Sequence, residues 1–351
     1  MRRWGITTTV ALLWVALAAH PLSAQSAGAV ARIGNVGRPA SVLTPEFIEL
    51  KIKAEEGDLA AQSAVGWMYY CGKGAPKNPS EAIKWTGKAA ERGHAGAQFN
   101  LGAMYEAGLV LKQDFDEAWK WYREAASRGD ADAMHNLGAF YENGTGVAPD
   151  LGEAAAWYRK AADLGDPESQ CKLGTLLLVG RGLPQDAGEG IKWLLKAAEQ
   201  GHPDAQTRMA TAYAQGQGVP QDFTVAHKWW SEAAKLGNAE AQTNMGWLHT
   251  KGQVVKQDFA EALKWIRTAA DQGYAPAQFN LGIMYSRGDG VVADNVEAFK
   301  WFTLAARQGE QKAMDARDVL AREMPREQII EGRLRAAAAV PLRPLFGLEN
   351  R

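Results

Sequence analysis

Tryptophan recurs at one unbroken interval of 36 residues, at Trp85, Trp121, Trp157, Trp193, Trp229, Trp265 and Trp301. Seven anchors at one spacing mean one supersecondary unit copied seven times. A unit of that size cannot bury its apolar side alone, so neighbours stack and share a continuous core. The 351-residue length would otherwise suggest two or three domains. The repeat replaces that expectation with a single all-α array, whose function is spread along a surface rather than held in a compact catalytic pocket.

Counted from residue 58, the units are 58–93, 94–129, 130–165, 166–201, 202–237, 238–273 and 274–309. Each reads as two helices. In the second unit, Ala95, Ala97, Gln98, Leu101 and Tyr105 form one stripe at helical spacing, and the helix stops at Gly108. The second helix opens on the acid pair Asp114 and Glu117, repeated as Asp150/Glu153, Asp186/Glu189, Asp258/Glu261 and Asp294/Glu297, with Asn78/Glu81 as a variant. This is a capping box: the first side chain accepts an orphan helical N–H and the Glu reaches back to the cap. Asp222 lacks the partner, since Val225 follows it. These carboxylate pairs are structural rather than acid/base dyads. The Ala-Ala pair closing each second helix admits close helix approach, and the tryptophan is expected to fill the core between neighbouring units, so truncating it should cost ~3–5 kcal/mol.

The run Ala133, Asn136, Leu137, Gly138, Tyr141, Gly144, Gly146 and Val147, followed by Trp157 and Ala161-Ala162, resembles the Sel-1-like repeat, a relative of the tetratricopeptide repeat. The resemblance spans 58–309. It implies a right-handed superhelical solenoid of paired antiparallel helices that serves as an adaptor for other proteins, with the first helices lining a concave groove.

Residues 44–57 align with a second helix and read as an N-terminal cap, with Glu49 where tryptophan would stand. Residues 310–340 read as C-terminal capping helices, the register breaking at Arg317-Asp318. The first 24 residues have the form of an export signal: Arg2 and Arg3, an apolar run from Ile6 to Ala19, then Pro21, Leu22, Ser23 and Ala24 as a cleavage region. The run falls short of the ~20 residues of a membrane span, and no cysteine follows it. The mature chain is therefore expected to be exported, periplasmic and free of stable membrane insertion, with a flexible leader at 25–43 and an extended tail at 341–351. Net charge is −1 with both signs interspersed, which disfavours nucleic acid as a partner. Cys71 and Cys171 lie three units apart, several helix diameters, and should be separate thiols.

Seven internal copies separate invariant places, explained by packing, from divergent ones. Divergence on the first helix falls at the third, sixth, seventh, tenth and thirteenth places, which share a face. The sixth place reads Ser63, Phe99, His135, Cys171, Thr207, Thr243 and Phe279; the seventh, Ala64, Asn100, Asn136, Lys172, Arg208, Asn244 and Asn280; the tenth, Trp67, Ala103, Ala139, Thr175, Thr211, Trp247 and Ile283. The candidate partner-binding residues are Trp67, Phe99, Asn100, His135, Asn136, Arg208, Asn244, Trp247, Phe279 and Asn280. Asparagines can hold a peptide backbone, and aromatic side chains supply the contact area that binding hot spots use.

Catalytic and metal patterns are weak. Ser169-x-x-Lys172 matches the S-x-x-K of penicillin-interacting enzymes, but S-D-N and K-T-G are missing. Some exported relatives bind penicillin with slight lactamase activity; they staple each repeat with a disulfide, which two distant cysteines cannot do. The six histidines do not cluster: His20 is in the signal segment, His94 and His202 start helices, and His135, His227 and His249 lie in different units, with no metal-ligand spacing. The reading is a non-catalytic exported scaffold for a protein or peptide, without cofactor or metal. A hydrolase acting on penicillin or peptidoglycan, a groove filled by cell-wall peptidoglycan, and a periplasmic regulator docking on a membrane sensor are the alternatives.

Overall fold

The computed structural model describes residues 43–108 and 112–339. The expected export signal, the leader up to residue 42 and the tail at 341–351 lie outside them. Among the described residues there are 17 helices and no strand. They divide into two compact units at Ala125/Ala126.

The first unit begins with α1 (Pro45–Glu55), then α2 (Leu59–Cys71), α3 (Pro79–Glu91), α4 (Ala95–Ala107) and α5 (Phe115–Ser127), whose last residues lie past the division. The second continues with α6 (Ala131–Asn143), α7 (Leu151–Asp163), α8 (Pro167–Val179), α9 (Ala187–Glu199), α10 (Pro203–Gln215), α11 (Phe223–Lys235), α12 (Ala239–Lys251), α13 (Phe259–Asp271), α14 (Ala275–Arg287), α15 (Asn295–Ala306), α16 (Gln311–Glu323) and α17 (Arg326–Ala338). Even-numbered helices from α2 to α14 are the first helices of the seven repeats, and each packs on the second helix that follows it, as in α6–α7 and α8–α9. Within each unit the second helix packs in turn on the next first helix, as in α3–α4 and α9–α10. The architecture is an all-α solenoid.

Each helix end has a local cause. Asp150 accepts from the N–H groups of Gly152 (2.8 Å) and Glu153 (3.0 Å), and Gly144 closes α6 in the left-handed region at φ 70°. The reciprocal half of the capping box is replaced by another bond. The backbone N–H of the cap residue donates to a carbonyl near the end of the preceding helix, as in Asp150 to Tyr141 and Asp222 to Tyr213, both at 2.9 Å. The Glu is thereby released to accept the indole N–H one turn on, Trp85 to Glu81 (2.8 Å) and Trp193 to Glu189 (3.1 Å). That is why Asp222 caps α11 as well as its counterparts do without a Glu at 225.

The repeating core also departs from expectation. Trp85, Trp193 and Trp301 are buried, but Trp121, Trp157, Trp229 and Trp265 are only partly so. The deeper position is the next residue along. Tyr122, Tyr158 and Leu194 are fully buried, and Trp230, Ile266 and Phe302 nearly so. All but Trp230, which faces Ala210, lie over a glycine of the first helix: a Cβ on Gly138 would stand 2.7 Å from the Tyr158 ring, and one on Gly282 would stand 2.5 Å from Phe302. The tryptophan face stays partly open and carries a lysine: Lys160 Nζ sits 3.8 Å from the Trp157 ring centroid and Lys196 Nζ 3.9 Å from that of Trp193.

Neighbouring repeats are stitched by a buried glutamine. The amide N–H of Gln98 reaches Ala90 O (3.1 Å), and the same bond joins Gln62 to Ala54, Gln170 to Ala162, Gln206 to Ala198, Gln242 to Ala234 and Gln278 to Ala270. It adds a second hydrogen bond to a carbonyl that already accepts the backbone N–H of the glycine three residues on, as in Gly93 to Ala90. At the ends, Phe47 of α1 packs edge-on against Tyr69 (5.0 Å), while α17 folds back on α15 through Gly332 against Phe299 and an Arg335–Glu297 pair at 2.7 Å.

Candidate functional site

Successive first helices touch one another within each unit (α2 with α4, α8 with α10, α12 with α14), in addition to the second helix between them. The first-helix side is therefore the inner side of the stack, where divergent residues line up. The seventh, tenth and fourteenth places stay half-buried or exposed throughout, whereas the fourth, fifth, eighth, ninth and eleventh are closed in the core of every repeat, Met134 at the edge of that class.

The sixth place belongs to the interior of its own repeat. Phe99 lies 5.6 Å from Tyr122, His135 5.3 Å from Tyr158, and Phe279 5.8 Å from Phe302, centroid to centroid. Where the sixth place is small, as at Ser63, Cys171, Thr207 and Thr243, it is buried outright. Its divergence follows what it packs against, so Phe99, His135 and Phe279 offer an edge rather than a free ring. Trp67 is stacked on Tyr70 at 5.1 Å, and Trp247 leans on Phe223 at 6.0 Å; both remain half-buried. Asn100 donates to Ser63 Oγ in the preceding repeat (3.4 Å), which commits it to the stack. In the second unit, Asn136 has a buried Nδ2 with no acceptor, and Asn244 and Asn280 are half-buried without a hydrogen bond to any described residue. Arg208 is exposed and likewise unpaired.

A polar network crosses α6, α8 and α10. Tyr158 donates to Glu142 Oε2 (2.6 Å), which also takes Lys172 Nζ (3.1 Å). Burial opposes ionisation of Glu142, but Lys172 and the two hydrogen bonds bring its pKa below the usual carboxylate value. His135 Nδ1 and Ser169 Oγ are 2.9 Å apart, and burial holds the imidazole below its ordinary pKa despite Asp166 nearby. Ser169 is fully buried, so the Ser169/Lys172 pair presents no nucleophile to solvent. His202 caps α10 through Nδ1 and meets Glu168 through Nε2 (2.8 Å). The hydrogen bond from His202 holds Glu168 down to about 2. For His202 two demands oppose: burial and the Nδ1 cap favour neutral imidazole, while bonds to Cys171 and Glu168 favour the imidazolium. The accepting Nδ1 decides for the neutral ring protonated on Nε2, because an imidazolium has no lone pair to offer Ala205 N–H.

Among the described residues no group of histidine, cysteine and acidic side chains is placed to hold a metal ion, and no helix is long and apolar enough to cross a membrane. Cys71 and Cys171 are separate thiols. The best-formed surface recess, about 430 Å³, is lined only by residues of α9 around Trp193 and lies away from the inner face.

Compared with known sequences, the Sel1 repeat matches residues 59–94, 95–130, 131–166, 167–202, 203–238, 239–274 and 275–310. The chain belongs to the Sel1 repeat family. A Sel1 repeat protein from Oxalobacter formigenes is 34% identical over 78% of this chain and 79% of its own, with a TM-score of 0.63. Two more distant structures are a protective antigen with this repeat fold from uropathogenic Escherichia coli, c5321 (25% identity, 84% of this chain and 79% of that one, TM-score 0.41), and the immunity protein Pa5087 from Pseudomonas aeruginosa (24%, 61% and 81%, TM-score 0.42). Comparison with curated proteins gives no match. Sel1 repeat solenoids are typically scaffolds for protein–protein interaction, and the inner row described above is where this one keeps polar groups unpaired.

Sequence reasoning placed Asn136, Arg208, Asn244, Trp247 and Asn280 on that row. It missed the fourteenth place, including Lys251 and Arg287, although their exposure follows from the same helical spacing.

Proposed function

We propose that this Sel1 repeat protein is an exported, non-catalytic scaffold that holds a protein or peptide segment along the inner face of its first helices. The observation that carries the reading is the unpaired inner row of the second unit. Asn244 and Asn280 are half-buried amides with no hydrogen bond inside the chain, and Arg208 is a bare cation on the first helix of the repeat before the half-buried Trp247. Polar groups that face solvent with no partner inside the chain bond water, and can exchange that water for a ligand. Complete burial of Ser169 against His135 weighs against a serine hydrolase. The segment at 1–24, with its paired arginines and apolar run, supports export to the periplasm.

Two measurements test this. Mature protein carrying Asn244→Ala and Trp247→Ala should lose partners that the wild type retains from an envelope extract, with little change in melting temperature. Equal capture by both would remove the inner face as the binding surface. Mass spectrometry of protein recovered from the periplasm should find an N-terminus within a few residues of Gln25; an intact Met1 in the cytoplasm would remove export.

A further inference from the structure

Charges on the inner face of the second unit are not equally free. Acids line its third-place margin as Asp132, Glu168, Asp204 and Glu240. Three of the four are engaged within the chain. Glu168 takes His202 Nε2 (2.8 Å), Asp204 accepts from Asn238 Nδ2 (2.7 Å), and Glu240 has a partner of its own. Further along the face, Glu142 is saturated by Lys172 and Tyr158. That ion pair also occupies Lys172. Arg208 on α10, Lys251 on α12 and Arg287 on α14 are different: all three are exposed and have neither a hydrogen bond nor an ion pair among the described residues. On α10, α12 and α14 the charged groups left without an internal partner are therefore the three cations. Between the three cations lie the unpaired amides of Asn244 and Asn280 and the half-buried side chains of Trp247 and Ile283.

Resting on the reading that this face binds peptides, we propose that α10, α12 and α14 take an acidic peptide segment. Its carboxylates pair with Arg208, Lys251 and Arg287, its backbone lies on Asn244 and Asn280, and an apolar side chain packs on Trp247. Two helix-to-helix steps of ~9 Å and seven residues of helical rise separate Arg208 from Arg287, a span of about 20 Å. An extended chain covers that in roughly six residues, so the acids sit two or three apart. Spaced carboxylates fit this arrangement better than nucleic acid does. A phosphodiester strand carries a charge every ~3.4 Å and would run its full charge density past the acidic margin of Asp204 and Glu240.

The probe is a fluorescein-labelled peptide with Asp or Glu at every third position and leucines between, measured by anisotropy against the full-length chain. Its controls are the isosteric Asn/Gln peptide, a lysine-substituted peptide and an oligothymidylate. The acidic peptide should bind about tenfold more tightly than the Asn/Gln peptide at low salt, three exposed ion pairs being modest singly and additive at most. Added salt should erode the preference, and Arg208→Gln with Lys251→Gln and Arg287→Gln should abolish it. All three side chains are exposed, so unchanged helicity and melting are expected and are checked. Equal binding of acidic and neutral peptides, an undiminished preference in the triple variant, no binding of the acidic peptide, or oligothymidylate binding that depends on the same three cations would each overturn the proposal. Trp247→Ala separates the two levels. If it weakens the neutral peptide while charge proves irrelevant, the binding face stands and its acidic preference falls; if it weakens no peptide, the face itself is wrong.

Discussion

The substitution Gly138→Ala tests whether the tight interface inside each repeat sets its stability. Gly138 sits mid-helix in α6, where alanine ordinarily gains about 1 kcal/mol over glycine. Here the added Cβ would stand 2.7 Å from both Cδ1 and Cε1 of Tyr158 and 3.1 Å from Cγ, an ångström short of a comfortable contact. The ring has nowhere to retreat, because it is fully buried, its hydroxyl is held by Glu142 at 2.6 Å, and the His135 ring closes one side. Overpacking of that kind costs about 1–3 kcal/mol, so after the helix gain is subtracted the net effect runs from near zero to a loss of about 2 kcal/mol. The repeat at 203–238 differs here: it carries Ala210 at this place, opposite Trp230, with the small Thr207 where His135 stands.

Gly87→Ala provides the control. It also lies inside a helix, α3, but nothing is within 4 Å of the added Cβ, so it should stabilise by about 0.5–1 kcal/mol. Repeat arrays unfold in parts, so the readout is amide hydrogen exchange resolved by helix rather than a single melting temperature. Protection should fall in α6 and α7 for Gly138→Ala and rise in α3 for Gly87→Ala. If both substitutions raise protection equally, the close approach of Tyr158 does not govern the repeat, and the account of the core given above is wrong.

Tyr158→Ala should cost ~3–5 kcal/mol and Trp157→Ala distinctly less, since the first side chain is fully buried and the second half open; urea unfolding compares them directly, and the reverse order would restore tryptophan as the principal core residue. Asp222→Ala and Asp150→Ala should each lose about 1 kcal/mol by the same measurement, because the two caps make equivalent bonds and the absent Glu at 225 is immaterial. Val254 holds φ 68° where Gly146 and Gly182 stand in other repeats, so Val254→Gly should stabilise by about 1 kcal/mol, and a loss would show the strain to be compensated. Toward acid, stability should fall in two stages. His135, whose folded pKa lies below its ordinary 6.5, takes up its proton more readily unfolded, so stability declines as pH drops below about 6.5; Glu168, held at about 2 against 4.5, contributes above 4.5 and loses that contribution as pH falls towards 2. His202→Asn should raise the pKa of Glu168 and remove its share of the second stage while keeping a helix cap, as carboxyl titration by NMR would reveal.

What the sequence disclosed and what it withheld divide along a physical line. Periodicity located every repeat, because burial of one stripe per helix must recur with the unit; the glycine at each first-helix end and the aspartate before each second helix followed from backbone chemistry alone. Depth within the core was not legible. Trp157 and Tyr158 are adjacent large side chains, and only the direction of the helix axis decides which one meets Gly138. The partner of an N–H is equally hidden: Asp150 and Glu153 have the spacing of a reciprocal box, yet a carbonyl at Tyr141, nine residues earlier, takes the bond. Among the candidate binding residues, single-residue placement on a face was sound at the seventh and tenth places and misleading at the sixth, where Phe99, His135 and Phe279 turn toward the second helix of their own repeat.

Because the sixth place is a packing position, variation there is coupled to the residue after the tryptophan, whereas the seventh, tenth and fourteenth places stay half-buried or exposed in every repeat. Stability and recognition are thus assigned to different residues of one helix. A peptide lying along the row advances ~3.3 Å per residue and meets a new first helix every ~9–10 Å, so each repeat reads about one ligand residue in three. Recognition by such a row is modular: Arg208→Glu should invert the charge preference at one ligand position and leave the positions facing Lys251 and Arg287 unchanged. A scan of the acidic peptide, replacing one acid at a time, measures this. Uniform weakening at every position would mean that the cations act as a single diffuse field and not as separate contacts.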